Sequence, residues 1–119
     1  MATALRRDVM ESILTSIKKM LGITEEYTHF DDDLIMHINS VFMILTQLGV
    51  GPKEGFYIED DSSSWEDYIE DQVKCQAVKT YIYLKTKQVF DPPSSSIINE
   101  CHKQMINELE WRLNSEVDY

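Results

Sequence analysis

Proline and glycine are both scarce in this chain, three and four residues among 119. That scarcity, with 43% apolar and 27% charged residues, excludes a collagenous or disordered polymer and describes a chain that folds. Long apolar runs are missing too. The longest, Val41 to Leu45, falls far short of the ~20 residues that cross a bilayer. No basic start followed by an apolar stretch and a cleavage site opens the sequence, so a soluble, cytosolic protein with no membrane partner is expected. Cysteine is limited to Cys75 and Cys101. Neither has CxxC or Cys/His spacing, so both are expected as reduced, half-buried small apolar residues.

Positive charge is the remaining shortage. Eleven Lys and Arg face 21 Asp and Glu, for a formal net charge of -10. A sequence-independent grip on nucleic acid needs Lys and Arg to replace counterions along the phosphates, so that class of function is disfavoured. The imbalance is uneven: residues 1–22 sum to +2, residues 54–71 to -8 and residues 72–90 to +4. Adjoining segments of opposite sign suit contacts between neighbouring copies, and Lys79, Lys85 and Lys87 are the candidates on the basic side.

What the sequence does have is helical period. Its 119 residues and 13.9 kDa fit one all-α domain over residues 1–119, with helices at about 8–21, 32–48, 65–90 and 95–115 and a long loop between the second and third. In the first helix Asp8 is the expected N-cap, Met10, Ile13, Leu14, Ile17 and Leu21 form the apolar seam, and Gly22 stops it. Glu11, Ser12, Lys18 and Lys19 are assigned to its outer face, the two cations opposing the negative end of the helix dipole. The second opens on Asp31, Asp32 and Asp33 and carries Leu34, Ile35, Ile38, Val41, Phe42, Leu45 and Leu48 on one face. Met36, Met43 and Ile44 widen that face, so this helix is expected to be central or shared with a partner.

Gly49, Gly51, Pro52 and Gly55 then break the pattern, and Phe56, Tyr57 and Ile58 suggest a short strand. A connection running from Gly49 to Ser63 is long for a compact domain. It is the best candidate for a segment that reaches another molecule, through Gly51, Phe56, Tyr57 and Ile58. Ser64 with Glu66 and Asp67 caps the third helix, expected to be the longest and unbroken until Asp91, Pro92 and Pro93. The last helix follows Ser94 to Ser96 with Ile98, Cys101, Met105, Ile106, Leu109 and Leu113 on one face, and Ser115 to Tyr119 are expected to fray.

No catalytic pattern assembles, and no cofactor is expected. Gly49-Val50-Gly51-Pro52-Lys53 lacks the Ser or Thr that follows the lysine of a phosphate-binding loop; Glu54 and Gly55 stand there instead. The run Glu59 to Ser64 lacks the glycine and terminal glutamate of a calcium loop. Glu66 with Glu70, and Asp67 with Asp71, form i, i+4 carboxylate pairs of the kind helical magnesium-dependent nucleotide hydrolases use, but the second helix offers no facing carboxylates after Asp33. His29, His37 and His102 are scattered, each a surface or helix-edge imidazole, and no serine or cysteine sits in a nucleophile motif. Among the aromatics, Trp65 and Tyr81 read as core. Tyr83 and Trp111, off the main seams, are equally suited to an interface.

The order of these parts resembles a known family. The run Ile17-Lys18-Lys19-Met20-Leu21-Gly22, the entry Tyr27-Thr28-His29-Phe30-Asp31-Asp32-Asp33, and Ile38-Asn39-Ser40 through Gly49-Val50-Gly51-Pro52 resemble the head-tail connector (adaptor) proteins of tailed bacteriophages. So do Val78 to Lys85, the stop Phe90-Asp91-Pro92-Pro93-Ser94 and the closing Glu108-Leu109-Glu110-Trp111-Arg112. The resemblance implies a structural, non-enzymatic virion protein, made in the bacterial host cytoplasm. It implies a homo-oligomeric ring, often dodecameric, beneath the portal, contacting portal and the next connector or tail component, with DNA only as transiting cargo. The second reading is a magnesium-dependent hydrolase built on Glu66, Glu70 and Asp71; the third is a helical interaction adaptor of no fixed assembly.

Overall fold

The computed structural model of the chain describes residues 11–117. Its elements are α1 (Ile13–Met20), α2 (Asp31–Gln47), α3 (Trp65–Tyr68), α4 (Gln72–Phe90) and α5 (Ser96–Val117). The fold is all-α, as the periodicity requires. Among the described residues there is no strand, only an isolated antiparallel bridge between Ser12 and Ser64.

That bridge explains where α1 begins. Ile13 N–H donates to the Ser63 carbonyl at 2.9 Å and Trp65 N–H to the Glu11 carbonyl at 3.2 Å, so Glu11 and Ser12 lie extended and cannot continue a helix. Ser12 is the N-cap, its hydroxyl accepting from Thr15 N–H at 3.2 Å. The expected cap Asp8 and seam residue Met10 lie outside the described residues. Ile13, Leu14 and Ile17 are buried as the period demanded.

The central helix is α4, not α2. Its main contacts run to α1, α2 and α5, and its buried residues Cys75, Val78, Tyr81, Ile82, Leu84 and Thr86 wrap around the axis instead of forming one stripe. A helix covered from several sides has no single apolar face to read. Conversely, α2 buries Leu34, Ile38, Val41, Phe42 and Leu45 but leaves Met36 69% and Met43 60% exposed, so the extra methionines lie on its outer side. Each buried aliphatic or aromatic side chain of this core contributes on the order of 1.5–3 kcal/mol.

The helix expected over 65–90 is broken. Ile69 is fully extended (φ -145°, ψ 134°), and Asp71 caps a fresh start, its carboxylate accepting from Val73 N–H at 3.0 Å and Lys74 N–H at 3.2 Å. The local cap competes with helix continuation. The turn it makes lets Trp65 and Tyr68, 1% and 5% exposed, enter the core. Asp67 closes the other end of α3 by accepting from Ser64 N–H at 2.9 Å.

α5 follows Pro92 and Pro93 and lies along α4, with Tyr81 Oη donating to Glu110 Oε2 at 2.7 Å and Gln88 Nε2 to Asn99 Oδ1 at 3.0 Å. Its expected apolar face is only partly buried. Ile106 and Leu113 are inside, Leu109 is partly so, and Ile98, Cys101 and Met105 are exposed, because a helix laid on one main neighbour covers a narrow stripe. Of residues 115–119, expected to fray, 115–117 are helical and 118–119 lie outside the described residues. Both cysteines are free, Cys75 buried and Cys101 exposed, rather than both half-buried; burial holds the Cys75 thiol above its ordinary pKa.

Candidate functional site

The loop from Gly49 to Ser64 is fastened down along its length. Asn39 of α2 presents its side-chain amide to Ile58, donating to the Ile58 carbonyl at 2.9 Å and accepting from Ile58 N–H at 2.8 Å. This pair of bonds satisfies the backbone that a neighbouring strand would otherwise satisfy, which is why the strand expected at 56–58 is not needed. Phe56 stands edge-on to Phe42, ring centroids 5.1 Å apart, and lies 5.1 Å from the Tyr68 ring. Residues therefore alternate: Phe56 half-buried, Tyr57 65% exposed, Ile58 1% exposed.

Gly51 has a structural reason to be glycine. Its φ is +85°, and a Cβ there would stand 2.6 Å from the Tyr68 ring, a ring wedged between Phe42 and Phe56. Side chains strain in that backbone region and this one has no room besides. Beyond Ile58, Glu59, Asp60 and Asp61 are exposed. Hydrogen bonds from Ser62 hold the Asp60 carboxyl below its ordinary pKa.

Of the residues singled out for contact, the loop thus offers Tyr57 and the rim of Phe56, while Ile58 faces the core and is corrected to a packing residue. Lys79 is engaged within the chain, 3.4 Å from Glu11 Oε1 and 5.5 Å from the centre of the Trp65 ring. Lys87 pairs with Asp91 at 3.1 Å one turn on. Lys85 and Tyr83 are half-buried on α4, and Trp111 stands 69% exposed on α5. Two of the three lysines expected to meet an acidic neighbour are therefore committed at home, Lys79 to Glu11 ahead of α1 and Lys87 to the C-cap of its own helix.

The carboxylate pairs of the hydrolase reading are not on one helix. Glu66 and Asp67 belong to α3, Glu70 follows its end and Asp71 caps α4, so i, i+4 spacing no longer implies a shared face. Among the described residues no group of three or more His, Cys, Asp or Glu is placed to hold a metal ion.

Two apolar surfaces emerge that periodicity did not assign. On α2 the outer stripe Met36, Ser40 and Met43 is exposed; on α5, Ile97, Cys101 and Trp111 are exposed. Both helices pack on α4, and Asn114 of α5 donates to the Leu48 carbonyl at the end of α2 at 3.4 Å; the two stripes stand on separate helices. The signal for the first was present in the excess methionines of α2. The second was hidden because Ile97 lay one position outside the chosen seam.

His37 is a titratable group that the fold alters. Its Nε2 lies 3.2 Å from the Lys85 carbonyl, which can only accept, so the neutral ring carries its hydrogen on Nε2. The ring stands edge-on to Phe90 at 6.0 Å. Burial holds its pKa below the ordinary histidine value, outweighing the bond to Lys85 that raises it. As pH falls from neutral, the unfolded chain takes up this proton before the folded one. The stability present above about pH 6.5 is therefore lost as pH drops through the ordinary histidine range toward the folded pKa. His37→Gln is expected to flatten the fall in unfolding free energy between neutral and mildly acidic pH, measured by denaturant titration. An unchanged slope would rule the group out.

A family model described as phage connector protein matches residues 13–119. No curated protein and no solved structure matches the chain.

Proposed function

Because the chain belongs to the phage connector protein family, making it a structural component of the virion, we propose that it is a head-tail connector subunit that closes into a ring beneath the portal. In this reading the ring surrounds the DNA channel, touches portal on one side and a tail component on the other, and assembles in the host cytoplasm. The observation that carries the self-assembly is the pair of unlike apolar stripes, Met36 with Met43 on α2 and Ile97 with Trp111 on α5, all exposed. Closing a ring needs a heterologous contact, with one patch of each subunit meeting a different patch of the next.

Charge supports the passage of DNA in place of its capture. The chain carries -10 overall, and its exposed loop presents Glu59, Asp60 and Asp61. Such a wall repels phosphates and lets a duplex slide. The electrostatic version of the subunit contact, between residues 54–71 and Lys79 and Lys87, is weakened by their internal pairs and gives way to the apolar stripes. The hydrolase reading loses its shared helix face, because Glu66 lies in α3, Glu70 follows the end of α3 and Asp71 caps α4.

The test is native mass analysis of the chain with and without the cognate portal protein. A discrete multimer on the portal is expected, and Met43→Glu or Trp111→Glu should abolish it while leaving the far-ultraviolet spectrum intact. A chain that stays monomeric with portal present, or a multimer indifferent to both variants, would refute the ring or the assigned stripes respectively.

A further inference from the structure

We draw no further inference here: the strongest candidate, the apolar groove lined by Leu21, Ile23, Phe30, Val89 and Phe90 at the end of the bundle where α1 stops and α2 starts, carries nothing, because its one charged lining residue, Asp91, is already paired with Lys87 and nothing in the structure shows what covers it.

Discussion

Asp31→Ala is expected to destabilise the chain by about 3–5 kcal/mol, the cost of leaving a buried charge without its partner. The Lys18 side chain is 3% exposed, with Nζ 2.8 Å from Asp31 Oδ1 and 3.1 Å from the Glu25 carbonyl. Removing the carboxylate leaves an ammonium inside the protein with one neutral acceptor. Lys18→Met in the same background removes the stranded charge and keeps an unbranched apolar stem of similar length. The double variant is therefore expected to recover most of the loss. The cycle is read by urea or guanidinium unfolding. A single Asp31→Ala costing no more than a surface substitution, within about 0.5 kcal/mol, would show that the pair is solvated after all. The same pair ties the end of α1 to the start of α2.

Trp65→Ala is expected to cost a comparable about 3–5 kcal/mol, the range for deleting a buried large aromatic. Trp65 is 1% exposed, and its indole Nε1–H donates to Ser16 Oγ at 2.8 Å, while that hydroxyl donates in turn to the Ile13 carbonyl at 3.0 Å. The ring therefore joins α3 to α1 at the point where Ser12 and Ser64 bridge. Trp65→Phe keeps most of the apolar volume and loses the indole hydrogen bond, so it should cost about 1–2 kcal/mol. Unfolding midpoints for the two variants check the order. An alanine variant as stable as the phenylalanine variant would mean that the site collapses without leaving a cavity.

The seams of α1 and α2 were legible because each helix turns one face to the core, and period 3.6 records that directly. Ile13, Leu14, Ile17, Leu34, Ile38, Val41, Phe42 and Leu45 are all buried where spacing put them. The break at Ile69 was not legible. Ser64 and Asp71 are both good caps, and a sequence with two caps seven residues apart does not state whether the second is used. What decided it was burial of Trp65 and Tyr68 together. Trp111, which spacing left level between core and interface, is exposed, and Ile58 was not legible as a core residue, because the Asn39 clip that turns it inward reaches across 19 positions.

By itself the sequence determined an all-α chain, an acidic surface, the absence of any catalytic motif and the likeness to phage connectors. The first three depend on composition and on residues within a turn or two of each other, and the likeness on runs spread along nearly the whole chain. The tertiary structure alone decided which charges are surface and which are mortar. Lys18 and Asp31 each looked like a terminal charge facing its own helix dipole, and only the approach of α1 to α2 made them a buried pair. It likewise decided that α4 is the centre and that α2 and α5 keep apolar outer faces. A local pattern records how much apolar surface a helix has, but which part remains uncovered depends on how many neighbours reach it.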